Sequence, residues 1–192
     1  MPKLVRGRAG RQQQREGTLE RYGADLAPML LKHIRVVPGA RIMHLGSPGA
    51  EYFAEAVAPR LESSDLVVVV FTYDEVEELR AALAGVGNVH VLNEIEDLDP
   101  DDPPYDMMTC IVPYHQGRDY IEELLRAALK RLARDGTLYL AGDRQQGFER
   151  VVEWLASIGS RVTPLAQVGL LRVVSATRPG PGGGLKLSSP TS

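Results

Sequence analysis

The run Leu66-Val-Val-Val-Val-Phe71 constrains the fold more than any other segment, because its six residues are all apolar. A strand with one solvated face alternates apolar and polar side chains, whereas a central strand of a parallel sheet is covered by helices on both faces. The run therefore predicts a buried strand in a parallel sheet with helices packed on its two sides.

Shorter apolar segments alternate with helical patterns before and after this run. Strands are also predicted at residues 41–45, 88–92, 105–112 and 137–141, and helices at 24–34, 50–61, 74–83, 121–132 and 148–158. Asp74 is the predicted N-cap of its helix, and Arg134-Asp135-Gly136 is the predicted turn that closes helix 121–132.

Two further strands, residues 161–168 and 170–176, are joined through Gly169 and predict a hairpin. The predicted fold class is α/β, with a doubly wound, mostly parallel seven-stranded sheet that finishes in a terminal antiparallel hairpin, a Rossmann-like arrangement.

Length and composition favour one domain, because 192 residues at 44% hydrophobic can bury an ordinary core. We predict a basic N-terminal arm over residues 1–22, the α/β domain over 23–178 and a flexible Gly/Pro/Ser tail over 179–192. The arm is a candidate for contact with nucleic-acid phosphates, or else a solubilising tail. Its candidate contact residues are Arg6, Arg8, Arg11 and Arg15.

Cysteine usage and hydropathy bear on the compartment. The chain has a single cysteine, Cys110, and therefore no disulfide framework, which indicates a reducing compartment and predicts a cytoplasmic protein. No apolar run approaches the roughly 20 residues that span a bilayer, and residues 1–6 lack the apolar core of a signal peptide. We therefore expect no role at a membrane.

An open parallel sheet binds ligands beyond the carboxyl ends of its strands, at the point where the strand order reverses. The loops that follow the first four strands bring residues 46–49, 71–73, 94 and 113–115 to this edge. The turn Gly46-Ser47-Pro48-Gly49 precedes a helix, where exposed amides favour an anionic group such as a carboxylate. An ordinary strand-to-helix turn accounts for the same residues.

Metal binding and nucleophilic catalysis find little support in the sequence. His44, Cys110, His115 and Asp143 lie near the ends of central strands, but they lack the short spacing of metal ligands. No set of Ser, His and Asp or of Cys and His can be assembled as a nucleophile. No metal site is predicted.

The segment Tyr105-Asp-Met-Met-Thr-Cys-Ile-Val-Pro-Tyr-His-Gln-Gly117 resembles the stretch Phe-Asp-…-Asn-Pro-Pro-Phe-His-x-Gly of ribosomal RNA guanine-N2 methyltransferases. Residues 125–140 resemble the helix, glycine turn and strand that follow in that group, residues 167–174 its last hairpin, and residues 23–31 its first helix. Over about residues 20–178 the chain thus resembles the class I S-adenosylmethionine-dependent methyltransferase superfamily, closest in pattern to the small-domain ribosomal RNA enzymes.

The resemblance implies S-adenosylmethionine as cofactor and RNA as substrate. The cofactor-binding residues that it implies are Gly46, Ser47, Gly49, Phe71, Thr72 and Glu94, with Glu94 meeting the adenine amino group. Pro113 and Tyr114 are the implied catalytic residues, Tyr114 stacking on a flipped base while the Val112 or Pro113 carbonyl accepts a hydrogen bond. His115 and Arg144 are implied to border the RNA.

The sequence departs from the family pattern at three places. The family motif Asp-x-Gly-x-Gly-x-Gly appears as His44-Leu-Gly-Ser-Pro-Gly-Ala50, in which Pro48 lacks an amide donor. Phe71 aligns with the acidic residue that holds the ribose, and Asp74 or Glu75 either substitutes for that acid or merely serves the helix start. The family Asn-Pro-Pro-aromatic appears as Ile111-Val112-Pro113-Tyr114, without the Asn carbonyl.

Two functions follow from this mixture. In the first, the chain is an RNA methyltransferase of the guanine-N2 type, in which positioning supplies most of the rate. In the second, it is a degenerate, non-catalytic methyltransferase domain that serves as an RNA-binding or protein-interaction scaffold. Related ribosomal enzymes pair a degenerate domain with an active one, which implies a homodimer or a heteromeric partner. The sequence leaves open whether the chain is an enzyme.

Overall fold

A computed structural model of the chain describes residues 25–46 and 49–179. Within them, the strands are β1 (Ile42–Leu45), β2 (Leu66–Val69), β3 (Val89–Leu92), β4 (Tyr105–Ile111), β5 (Leu132–Asp143), β6 (Val162–Val168) and β7 (Leu171–Thr177). The helices are α1 (25–31), α2 (Ala50–Val57), α3 (Tyr73–Ala82), α4 (Arg118–Arg131) and α5 (Phe148–Ser157). The predicted arm with Arg6, Arg8, Arg11 and Arg15, the predicted tail beyond residue 179, and Ser47 lie outside the described residues.

The strands form one sheet in the order β3-β2-β1-β4-β5-β7-β6. Strands β1 to β5 pair in parallel, and β7 runs antiparallel between β5 and β6. The predicted doubly wound sheet with a terminal antiparallel hairpin is confirmed. The strand order reverses between β1 and β4, which places the predicted ligand edge at the carboxyl ends of these two strands.

The apolar run at residues 66–71 is buried because both faces of the sheet are covered. Leu66 and Val68 belong to the core beneath α1, α2 and α3, whereas Val67 and Val69 belong to the core beneath α4 and α5. Successive side chains of a strand point to opposite faces, so a strand packed between two helical layers needs apolar residues at every position.

The predicted turn at Arg134-Asp135-Gly136 lies between the end of α4 and the regular part of β5. Helix α4 passes directly into β5 at Leu132, whose backbone is already extended at φ −72° and ψ 136°. Leu132 pairs with Tyr105, and the next pair is Thr137 with Met107, so residues 133–136 form an irregularity inside the strand pair. The buried Leu132 side chain anchors the start of β5 before the glycine is reached.

The predicted N-cap Asp74 is also wrong. Helix α3 begins at Tyr73, and Thr72 is the cap, since its hydroxyl oxygen accepts a hydrogen bond from the amide of Glu75. Thr72 has the extended backbone that an N-cap residue requires, whereas Asp74 lies inside the first helical turn.

In the described part of the chain, every helix is too short or too polar to cross a lipid bilayer.

Candidate functional site

The loop after β1 lies directly against the end of β4. The amide of Gly46 donates a 3.0 Å hydrogen bond to the carbonyl of Val69 in β2, and its φ is +123°, a conformation that side chains rarely adopt. A Cβ at Gly46 would stand 2.9 Å from the carbonyl oxygen of Ile111 in β4. Glycine is therefore required here, and Gly49, at φ +83°, then leads into α2.

Phe71 joins the end of β2 to the segment after β4. Its half-buried ring makes edge contacts with Tyr120, at 5.6 Å between ring centroids, and with His115, at 6.3 Å. Tyr120 lies in the first turn of α4, and His115 in the short 3-10 turn Tyr114–Gln116. The loops after β2 and β4 therefore meet through aromatic rings.

A carboxylate lies at the end of β2 although Phe71 holds the terminal position. The side chain of Glu75 reaches back so that its Oε2 accepts a 2.9 Å hydrogen bond from the Phe71 amide. The same carboxylate opposes the lowering of the His115 pKa that burial causes. Asp74 and Glu75 are the two acids proposed as substitutes for the ribose contact. Glu75 lies at the carboxyl end of β2, in the crevice formed by the loops after the parallel strands, whereas Asp74 is exposed on the first turn of α3.

Tyr120 connects the third loop to the same place. Burial first, and then the carboxylates of Glu94, Glu96 and Glu75, raise the pKa of Tyr120 to about 12. Glu94 follows β3, where its own amide donates a 3.3 Å hydrogen bond to the carboxylate of Asp97. The phenol stays protonated among these acids and is a hydrogen-bond donor over the physiological pH range.

The structure thus brings Gly46, Phe71, Glu94 and Pro113 to one edge of the sheet. Tyr120 packs on Phe71 at this edge, and the sequence reasoning missed it. It immediately precedes the amphipathic pattern of α4, and the sequence held no signal beyond one aromatic residue in a first helical turn.

The predicted base-binding segment is built from local turns. The Val112 carbonyl accepts a 3.0 Å hydrogen bond from the Tyr114 amide, and the Pro113 carbonyl accepts one of 3.0 Å from the Gln116 amide. Each carbonyl oxygen has two lone pairs, so each keeps one for a further donor. The side chain of Ile111 is buried in the core beneath α1 to α3, so it offers nothing to a ligand.

Tyr114 also lines a cleft of ≈ 120 Å³ between α4 and α5. The other residues that line this cleft are Arg118, Ile121, Glu122, Gln146, Gly147, Arg150 and Val151. The Tyr114 hydroxyl lies close against Gly142 in β5, where a Cβ would also collide with the ring of Phe148. Glycine at position 142 therefore makes room for the Tyr114 ring.

Arg144 begins the short 3-10 turn Arg144–Gln146 that follows β5. Its guanidinium pairs with the Glu149 carboxylate at 3.1 Å, and Arg172 from β7 pairs with the same oxygen at 2.8 Å. Two arginines thus share one acid, and the carboxylate of Asp143 lies at the same turn, where it accepts a 2.8 Å hydrogen bond from the Gln145 amide.

His44 and Cys110 occupy opposite faces of the sheet. His44 is fully buried, stacks on Phe53 of α2 at 4.2 Å and bonds Thr109 Oγ1 through Nδ1 at 2.8 Å. Cys110 lies in the core beneath α4 and α5. Burial lowers the pKa of His44 to about 3 and raises that of Cys110 to about 12. Over residues 25–46 and 49–179, no group of three or more His, Cys, Asp or Glu is placed to hold a metal ion.

Known proteins match this chain in fold but not in sequence. No family model matches this sequence, and no curated protein sequence matches it. Among solved structures, the 16S rRNA N2 G1207 methyltransferase (RsmC) of T. thermophilus, solved in complex with AdoMet and guanosine, is 20% identical with a TM-score of 0.64. That match covers 81% of this chain and 39% of RsmC, so the chain spans well under half of that protein.

Two further structures agree with this match. Precorrin-6y C5,15-methyltransferase of Geobacter metallireducens GS-15 is 15% identical with a TM-score of 0.63, over 79% of this chain and 87% of that one. TrmN of Thermus thermophilus is 20% identical with a TM-score of 0.60, over 79% of this chain and 48% of that one. The chain therefore has the fold of the class I S-adenosylmethionine-dependent methyltransferases. A shared fold at such identities does not carry an activity with it.

Proposed function

We propose that the chain is an S-adenosylmethionine-binding methyltransferase domain that acts on RNA, at an exocyclic amine of the guanine-N2 type. The observation that carries the proposal is that Gly46, Phe71, Glu94 and Pro113 all follow carboxyl ends of parallel strands at the switch point of the sheet, where Phe71 packs on Tyr120. Solved relatives in fold include RNA methyltransferases and a small-molecule methyltransferase, so the substrate class rests on the site residues.

The residues at this edge fit the adenosine half of the cofactor. Glu75 has one carboxylate oxygen beyond the Phe71 amide for ribose hydroxyls, and Glu94 accepts from the adenine amino group in this proposal. In this proposal Phe71 and Thr72 would lie beside the ribose, and Gly46 and Gly49, on either side of the turn, would meet the methionine part. When bound, the cofactor supplies an electrophilic methyl group.

The base side of the proposal rests on Tyr114 and Pro113. The Tyr114 ring is half-buried beside the cleft, where it can stack on an unpaired base. The remaining lone pairs of the Val112 and Pro113 carbonyls accept hydrogen bonds from the amine and orient its nitrogen lone pair. Such positioning, without a strong base, supplies a large share of a methyl-transfer rate.

A second candidate function is RNA binding without methyl transfer. The observation that favours it is Ile111, which is buried in the apolar core at the place where the related enzymes present an Asn carbonyl. In that case the domain contributes affinity, and a different, active protein performs the reaction.

Calorimetry and thermal unfolding with S-adenosylmethionine and its demethylated product test the first function. A ligand present at about 100 times its Kd stabilises the native state by roughly 2.7 kcal/mol, so the midpoint should rise by several degrees. Transfer of a radiolabelled methyl group to ribosomal RNA then measures activity. If millimolar cofactor produces no binding heat and no stabilisation, the methyltransferase function is eliminated. Binding without methyl transfer would favour the second candidate.

A further inference from the structure

The cleft between α4 and α5 combines cationic, apolar and amide groups in a small volume. Arg118 and Arg150 stand on its two opposing helices, and Ile121 and Val151 provide apolar surface. Gln146, in the short turn before α5, offers an amide that both donates and accepts hydrogen bonds. The volume of the cleft, ≈ 120 Å³, is well below the roughly 300 Å³ at which sites for whole small molecules begin. The cleft therefore suits one ring of a larger ligand.

The charges of the cleft favour an anionic ligand. Arg118 donates through Nε to Glu122 at 2.6 Å, which neutralises one of the two cations. Arg150 is exposed on α5, and across residues 25–46 and 49–179 its guanidinium forms no ion pair. The nearby Arg144 differs, because it is paired with Glu149. Arg150 is thus available to an anion.

Both helices begin beside the cleft and lack side-chain caps. Gly117 precedes α4 and Gly147 precedes α5, and neither has a side chain that could accept from the first amides. The first turns also carry Asp119 in α4 and Glu149 in α5, which offset part of each helix dipole, so Arg150 is the main attraction for a phosphate.

We propose that this cleft binds one unpaired nucleotide of the RNA next to the target base at Tyr114, with its base against Ile121 and Val151 and its phosphate at Arg150. The proposal rests on RNA as the substrate class of the proposed function. A base inserted between two helices cannot remain stacked in a duplex, so the substrate is a single-stranded segment or loop.

Fluorescence anisotropy of the full chain with a labelled single-stranded RNA, and with the same strand in a duplex, tests this site. The single strand should bind more tightly. Arg150→Gln should weaken its binding about tenfold, as expected for one charge-assisted contact. It should also reduce the slope of log affinity against log salt by about 0.7, the change for one phosphate contact on a single strand. Lys130→Gln, which removes an exposed charge near the other end of α4, is the matched control and should change neither quantity.

An RNA carrying 4-thiouridine at successive positions gives a second measurement. Crosslinks should map to residues 114–122 or 146–151 when the photoreactive base is adjacent to the target. Four results would each overturn the proposal. Two concern affinity: equal losses in the Arg150→Gln and Lys130→Gln variants, or tighter binding of the duplex than of the single strand. The other two are no RNA binding by the wild type and crosslinks confined to other segments. RNA binding through the cleft without cofactor binding would uphold it while removing the methyltransferase function.

Discussion

The amide of Phe71 donates a 2.9 Å hydrogen bond to the carboxylate of Glu75, so the acid at the end of β2 comes from the first turn of α3. An aromatic ring and a carboxylate thereby share one position at the edge of the sheet. The ring packs on Tyr120, while the acid faces the crevice. A sequence alignment would register only the loss of the acid at position 71.

The first prediction concerns this carboxylate. Glu75→Gln should lower the affinity for S-adenosylhomocysteine about tenfold, because a charged acceptor of ribose hydroxyls is lost, an effect of about 1.5 kcal/mol. Isothermal calorimetry measures the change. Asp74→Asn, in the same helical turn but exposed, should remain within about twofold of the wild type. Equal affinities for the wild type and Glu75→Gln would show that Glu75 serves only the hydrogen bond to the Phe71 amide.

The second prediction concerns the tight approach at Gly46. Gly46→Ala should destabilise the domain by about 1–3 kcal/mol, because φ is +123° and the new Cβ would stand 2.9 Å from the Ile111 carbonyl. Urea unfolding measures the free energy. Gly85→Ala is the control, since a Cβ at Gly85 meets nothing within 4 Å, and it should be neutral or slightly stabilising. Similar losses in both variants would contradict the packing of Gly46 against β4.

The fold was predictable because its signals are local. The unbroken apolar run at residues 66–71 and the paired apolar runs around Gly169 specify a covered parallel strand and a hairpin from their own side chains. The helix end at Leu132 was not predictable from its neighbours, because the pairing of that residue with Tyr105 is a tertiary contact. The turn signal of Gly136 applies just after that pair, where residues 133–136 leave the strand pairing before it resumes at Thr137.

The site was predictable only as a set of loops. The topology rule placed Gly46, Phe71, Glu94 and Pro113 at one edge. It could not indicate which helical side chains turn back toward that edge. Tyr120 and Glu75 lie within helices, where an aromatic residue or an acid has many structural uses, and only coordinates show that they face the crevice.

The third prediction concerns His44. Its pKa of about 3 in the native state lies below the ordinary 6.5 of an unfolded chain, so the unfolded state binds the extra proton between these values. Stability that is fully present above pH 6.5 is therefore lost as the pH falls toward 3. From pH 7 to pH 5, this residue alone should reduce the free energy of unfolding by about 2 kcal/mol.

Urea unfolding at several pH values tests this contribution. His44→Gln removes the titrating group while keeping a polar side chain for Thr109, so most of the pH dependence between pH 7 and pH 5 should disappear. His90→Gln is the control, because His90 is an exposed histidine paired with Asp65 on the surface, and this variant should retain the dependence. Identical pH profiles for the wild type and His44→Gln would show that His44 accepts a proton in the native state.

The fourth prediction concerns Cys110, which lies in β4 between β1 and β5 and is fully buried. Burial raises the pKa of its thiol to about 12, so the native protein holds almost no thiolate at pH 8. A thiol reagent such as Ellman's reagent should therefore label nothing within minutes, and one equivalent once guanidinium unfolds the chain. Ser157→Cys, at the exposed end of α5, supplies the matched control: one thiol should react at once and the second only on unfolding. Rapid labelling of Cys110 in the folded wild type would mean that α4 or α5 detaches from the sheet under native conditions, because the sulfur lies in the core beneath these helices.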